Sequence, residues 1–238
     1  MRLSFRDRRV AVYDDFLATE DQAHVLTYLD RAQFRAALPE TWGSAYRLGD
    51  GPSLVGSQIF SGQLSEEKSG HVYPTDTALD ILVERLMNER SNIEAIIGPF
   101  GESWSIFSMA PFIYPASASL SWHSDAHCAG AFVYYAHSSW NVHWGGELVI
   151  EWVDRDCEPP STSSRGMFRS KEIESALENG MGYYFAPTPN RMIFIRGGTP
   201  HMIKKVEAAA GDNLRISLSG FFFCPPKNGI VPPGESSA

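Results

Sequence analysis

The sequence predicts a mainly β protein with flanking helices, and two observations carry that reading. Two stretches in the first hundred residues repeat apolar positions at helical spacing. From Trp104 onward the texture changes to short runs of β-branched and aromatic residues, broken by Gly, Pro and Asn. Runs of that kind mark an all-β sandwich or barrel.

Arg9 to Tyr13 is a short stretch, large and small side chains alternating over Val10 to Val12 after the arginine, that reads as an edge strand. Thr19 with Gln22 three positions on has the form of a capping box, and Ala23, Leu26, Leu29 and Phe34 supply the apolar stripe of a first helix. Leu79, Leu82, Val83, Leu86, Ile93 and Ile97 predict a second helix from about Asp76, ended by Gly98-Pro99. The Gly- and Ser-rich stretch between them reads as surface loop with one short strand, and residues 41–70 are a candidate lid. Nine strands follow: Trp104 to Met109, Phe112 to Tyr114, Ser119 to Ser124, Ala131 to Ala136, Glu147 to Val153, Gly182 to Phe185, Met192 to Arg196, His201 to Val206 and Leu214 to Phe223. Residues 155–180, with Pro159-Pro160 and a short helix at Lys171 to Glu178, read as an insertion and second candidate lid. The whole is expected to be one domain: a lead-in over 1–103, a core over 104–223 and a tail over 224–238.

Composition narrows the function. The 238 residues are 43% hydrophobic and 20% charged, as in an ordinary globular chain. A net charge of −8 repels a phosphate backbone, so no nucleic-acid partner is expected. No apolar run approaches the roughly 18 residues of a membrane span, and the N-terminal arginines are followed by no continuous apolar segment of the signal-peptide kind. Cys128, Cys157 and Cys224 are widely spaced and form no CxxC pair, which suits a reducing cytoplasm.

His123 and Asp125 are two residues apart at the end of a predicted strand, where alternate side chains share a face. Alone, such a pair also suits a hydrogen-bonded structural role. His201, 78 residues later, opens another strand, and two imidazoles with one carboxylate make the facial triad of non-haem Fe(II) oxygenases. His127 is the rival ligand, two residues from Asp125; His137 and His143 read as loop residues. Arg215, fourteen residues beyond His201, places a permanently charged fork within a strand, with Ser217 on its face. A dicarboxylic keto acid would pair it bidentately.

In FIYPASASLSWHSD, VYYAHSSWNVHWGGELVIEW, PTPNRMIFIRGGTPHMIKKV and RISLSGFFF, in that order, the sequence resembles the 2-oxoglutarate and Fe(II)-dependent oxygenases, in particular the prolyl hydroxylase-like branch. The resemblance covers about half the chain, with an echo in VYDDFLATEDQAHVL. It implies a double-stranded β-helix, or jelly-roll, barrel with an N-terminal helical support. It further implies His123, Asp125 and His201 as catalytic iron ligands, and Arg215 as the partner of the distal carboxylate of 2-oxoglutarate. Tyr114 and Tyr135 match tyrosines lining the cosubstrate pocket, and Ser217 joins that set. Gly145 to Leu148 matches a glycine turn, and Asn190-Arg191 the turn before the strand leading to the second histidine. Ala208 to Gly211 lengthens the usual gap between His201 and Arg215.

The expected activity is hydroxylation of an unactivated C–H bond by Fe(II), 2-oxoglutarate and O2, releasing succinate and CO2. The expected substrate is a small molecule or a carrier-bound metabolite, with no membrane partner. Hydroxylation of a protein or peptide side chain, or non-catalytic ligand binding by the same barrel, are the alternatives. A cupin-like site would need a further histidine and a glutamate at a spacing that the barrel region does not offer.

Overall fold

The computed structural model describes residues 1–37, 49–63, 70–152 and 180–225. Its strands are β1 (Arg2–Arg6), β2 (Val10–Asp14), β3 (Arg35–Ala36), β4 (Leu54–Val55), β5 (Ile59–Phe60), β6 (His71–Val72), β7 (Ile106–Tyr114), β8 (Leu120–His123), β9 (Gly130–Tyr135), β10 (Leu148–Glu151), β11 (Gly182–Phe185), β12 (Met192–Arg196), β13 (His201–Ile203) and β14 (Arg215–Phe223). The helices are α1 (Thr19–Leu29), α2 (Asp80–Asn88) and α3 (Arg90–Ile97).

Two sheets face each other in a jelly-roll. The larger has the order β1-β2-β12-β9-β14-β7-β4-β3, with β5 and β6 joining at β7; the smaller has the order β11-β10-β13-β8. The central strands of the larger sheet, β2, β12, β9, β14 and β7, are largely buried on both sides, and alternate residues feed two separate cores. Tyr13, Phe107, Phe132, Phe194 and Phe222 point outward beneath α1, α2 and α3, meeting Val25, Leu82, Leu86, Ile93 and Ile97. Val12, Phe112, Tyr135 and Ile195 point inward against Leu148, Ile150 and Ile203 of the smaller sheet. The helices therefore brace the back of the larger sheet and leave the space between the sheets to the site.

The predicted core strands are present, with four local differences. Arg9 to Tyr13 is not an edge: β2 lies between β1 and β12, and β1, five residues with mostly exposed side chains, forms the edge. The first helix begins at Thr19 without a capping box; Ala18 is the N-cap and makes no side-chain cap. Glu20 and Asp21 in its first turn complement the helix dipole instead, and Val25 and Leu29, rather than Ala23, form its buried face. The second predicted helix breaks at Glu89 into α2 and α3. The strands predicted on either side of Pro111 are one, β7. The Pro111 carbonyl accepts from Gly56, so its nitrogen, which lacks a hydrogen, faces the same flank, where pairing lapses between β4 and β5.

Most of the predicted insertion over 155–180, including the helix at Lys171 to Glu178, lies outside the described residues, as do 226–238 and much of the 41–70 loop. Among the described residues no helix is long and apolar enough to cross a membrane.

Candidate metal centre

The smaller sheet brings the two histidines together. β8 and β13 are antiparallel neighbours, and His123 stands directly opposite His201, the arrangement that places two side chains on one face. Their ring centroids are 4.3 Å apart. Asp125, just beyond β8, lies with its Oδ2 3.4 Å from His201 Nε2. One donor atom from each of the three residues lies within 4.8 Å of the other two. All three side chains are buried.

Backbone carbonyls set the direction of both imidazoles. His123 Nδ1 donates to the Ser121 carbonyl at 2.7 Å, and His201 Nδ1 to the Thr199 carbonyl at 2.8 Å. This leaves each Nε2 as the lone-pair nitrogen in the neutral ring, as metal ligation requires. Burial, reinforced by the neighbouring His123, holds the His201 pKa down to about 4, against the opposing pull of Asp125 and the Thr199 carbonyl. At neutral pH the contact between His201 and Asp125 is therefore not an ion pair. It sets a carboxylate oxygen against an unprotonated nitrogen, two acceptors with no hydrogen between them, and a cation resolves that conflict.

Two features of sequence position this cluster. Gly197, in the turn before His201, passes so close to the Cys128 and Ala129 carbonyls that a Cβ would clash with backbone, so glycine is required there. The Gly197 amide donates to the Ala129 carbonyl at 2.8 Å and the Cys128 amide to the Asp125 carbonyl at 3.0 Å, which ties the turn before His201 to the turn that carries Asp125. The second feature, Asp50, was not legible in the sequence. It is buried, and its carboxylate accepts from Ser119 Oγ at 2.7 Å, Ser121 Oγ at 3.0 Å and the Ser121 amide at 3.2 Å. Asp50 thus clamps the residue whose carbonyl orients His123. It lies in a stretch read as surface loop, and no spacing relates it to a histidine 73 positions away.

Arg215 opens β14 and is fully buried. Its Nε donates to the Gly146 carbonyl at 2.7 Å and its Nη1 to Ser217 Oγ at 3.3 Å, while its Nη2 has no partner among the described residues. Gly146, at φ +73°, lies where a Cβ would meet the Arg215 side chain, and Gly145, at φ +71°, where one would clash with the Lys205 carbonyl, which together account for the glycine pair before Glu147. The guanidinium carbon is 5.1 Å from the Tyr114 ring centre and 5.0 Å from that of Tyr135. Tyr135 Oη is buried near this cation but outside hydrogen-bond geometry. Burial raises the Tyr135 pKa, with Arg215 opposing, so the phenol is a donor. Glu147, the acid of the same turn, is engaged by Tyr184 Oη at 3.2 Å and lies 3.7 Å from Lys204 Nζ. A buried cation and a buried phenol, each with a polar atom unpartnered among the described residues, together have the chemistry to pair with a carboxylate. The longer gap before Arg215 is taken up by one 3-10 turn, Ala208–Ala210.

The triad and Tyr114 line one pocket whose walls are chiefly apolar, including Phe112, Leu120, Leu148 and Phe221. All the residues predicted for the site converge on this region, Ser217 through its bond to Arg215. His127 and His143 are exposed and stand outside the triad. Asn190, at φ +61°, staples the entry of α1 to the turn before β12, accepting from the Leu17 amide and donating to its carbonyl, both at 2.9 Å. Arg191 binds both Asp14 oxygens, at 2.7 and 3.2 Å.

His137 lies in the loop that follows β9, as expected, but it is buried, with Nε2 2.6 Å from the Pro187 carbonyl and Nδ1 3.2 Å from that of Ile216. Burial brings its pKa from 6.5 to about 4 although the Pro187 and Ile216 carbonyls favour the cation; Arg215 acts with burial. Because the folded value lies below the unfolded one, the stability it contributes is complete above about pH 6.5 and is lost as pH falls toward 4. Between about pH 7.5 and about pH 5, the wild type is expected to lose roughly 2 kcal/mol more stability than His137→Gln, measured by urea denaturation. Parallel pH profiles for the two proteins would contradict this.

No protein-family model matches the sequence, and no curated protein matches it. Solved structures do match. A Pseudomonas putida prolyl-4-hydroxylase superposes with a TM-score of 0.58 at 15% identity, covering 92% of this chain and 94% of its own. A Trichoplax adhaerens prolyl hydroxylase, solved with a hypoxia inducible factor peptide fragment, gives 0.56 at 15% identity over 91% and 84%. SnoN, a non-haem α-ketoglutarate-dependent epimerase from nogalamycin biosynthesis, gives 0.53 at 15% identity over 97% and 88%. The chain thus has the jelly-roll fold of the 2-oxoglutarate/Fe(II) oxygenases, including the prolyl hydroxylase-like branch, as its sequence resemblance implies.

Proposed function

We propose that this protein is an Fe(II)- and 2-oxoglutarate-dependent dioxygenase that hydroxylates a C–H bond of a small-molecule or carrier-bound substrate. The observation that carries the proposal is a pair of electrostatic demands in one buried region. The His123, Asp125 and His201 donors call for a cation, and Arg215 Nη2 calls for an anion.

In this reading the two Nε2 atoms and the Asp125 carboxylate hold Fe(II), and the Ser121 and Thr199 carbonyls keep both rings in the ligating tautomer. Arg215 Nη2 and Tyr135 Oη bind the distal carboxylate of 2-oxoglutarate, while Gly146 and Ser217 fix the fork. With Fe(II), 2-oxoglutarate and O2 bound, the cofactors supply the oxidising chemistry, inserting one oxygen atom into the substrate C–H bond and the other into succinate, with loss of CO2. Phe112, Leu120 and Phe221 limit water around that region.

Anaerobic addition of 2-oxoglutarate to the Fe(II)-loaded protein is expected to produce a visible charge-transfer absorption, and admission of O2 to release succinate. A metal-loaded protein with neither response would refute the proposal.

A further inference from the structure

A second pocket continues the first along the same strands. Phe112, Ser219 and Phe221 line both, and the outer one also takes in Ser108, Gln58 and Arg35. Register explains the continuity. On β14 and β7, Arg215 stands opposite Tyr114, Ser217 opposite Phe112, Ser219 opposite Ala110 and Phe221 opposite Ser108. These alternate pairs face the barrel interior, stepping outward by about 7 Å per pair from the buried guanidinium. A second row crosses the sheet. Tyr135 is paired with Ser217, Ser217 with Phe112, Phe112 with Val55, and Val55 with Arg35. Directly opposed residues project to one face, so this row runs from the site of 2-oxoglutarate to Arg35 on β3.

Arg35 is exposed, and among the described residues its guanidinium has no hydrogen-bond or ion-pair partner. The outer pocket contains no acid and no second cation among the described residues that line it. Its other polar groups are neutral, and Gln58 Nε2 donates to Ser108 Oγ at 3.2 Å. Ala110, Phe112 and Val55 form an apolar floor between them and the triad pocket. Arg35 stands two strand spacings, about 10 Å, from Phe112, which borders the triad.

Resting on the oxygenase reading, we propose that the substrate is an amphipathic carboxylate whose carboxylate pairs with Arg35 in this outer pocket and whose apolar body crosses Phe112 to present a remote C–H bond to the metal. A planar fork matches one carboxylate bidentately. A dianionic phosphate would call for more than one cation. The charge on the substrate is therefore distant from the reacting carbon, and is bound by a different arginine from the one that holds 2-oxoglutarate.

The test is direct binding, independent of turnover. Octanoate, decanoate and 4-phenylbutyrate, their primary amides and decyl phosphate would be titrated calorimetrically into Zn(II)-loaded protein, with and without saturating 2-oxoglutarate. At least one carboxylate is expected to bind saturably in the presence of 2-oxoglutarate. It should bind about tenfold or more tightly than its amide, and Arg35→Gln should remove that preference while Arg35→Lys retains part of it. Equal affinity of wild type and Arg35→Gln, displacement of the probe by 2-oxoglutarate, tighter binding of decyl phosphate, or no saturable carboxylate binding would each overturn the assignment. Iron and 2-oxoglutarate binding are measured separately on the wild type. A failure of keto-acid chelation is thus distinguished from a failure at Arg35.

Discussion

Asp125→Ala is expected to lower Fe(II) affinity and 2-oxoglutarate-dependent succinate release by at least about a hundredfold, the upper end of what losing even an outer-shell partner of a metal costs. In the proposed metal site Asp125 is the one carboxylate beside two imidazoles. Without it the buried Nε2 atoms offer two weaker bonds and no charge to offset the ion. The same substitution should leave the metal-free fold intact or slightly more stable, because it removes the 3.4 Å contact between a carboxylate oxygen and an unprotonated nitrogen. Equilibrium dialysis with Fe(II) under anaerobic conditions measures the first effect, and thermal unfolding of the apo-protein the second. Wild-type iron affinity in Asp125→Ala would exclude Asp125 as a ligand. A large loss of apo-protein stability would instead make the cluster structural.

Arg215→Met should raise the concentration of 2-oxoglutarate needed for half-maximal succinate release by about thirtyfold or more, as expected when one partner of a buried charge pair is truncated. Iron affinity should change far less, since no atom of Arg215 belongs to the triad. Methionine preserves much of the volume and removes a cation whose Nη2 has no partner among the described residues, so apo-protein stability should hold or increase. Arg215→Lys is expected to recover only part of the affinity. A single ammonium cannot reproduce the planar fork, with Nε on the Gly146 carbonyl and Nη2 left for the ligand. Parallel losses of iron and 2-oxoglutarate binding in Arg215→Met would mark the arginine as structural.

Much of the β core was legible because its central strands, such as β9 and β12, are apolar runs buried on both sides, and because turn residues mark the ends even of the more exposed edge strand β11. Gly182–Phe185 and Met192–Arg196 are present with the predicted bounds, since their apolar runs are closed by turn residues. Errors clustered where a local rule was overridden. Pro111 suggested a break, but its missing hydrogen falls where the neighbouring strand lapses. The Thr19 and Gln22 pair suggested a capping box, yet the helix is entered through Ala18 and stapled from outside by Asn190. His137 is the loop residue it was read as, but its burial was not legible, because nothing nearby in the chain announces that Pro187 and Ile216 enclose it.

By itself the sequence determined the kinds of side chain available and the faces on which neighbours would lie: His123 and Asp125 at the end of one strand, His201 at the start of another, and Arg215 alternating with Ser217. Such facts extend over a few residues and follow from backbone periodicity. Only the tertiary structure decided that His201 stands opposite His123, that Asp50 clamps Ser121, and that Arg35 ends a row beginning at Tyr135. Those relations join segments distant along the chain. They are set by inter-strand register, which the packing of the two cores on either side of the larger sheet selects.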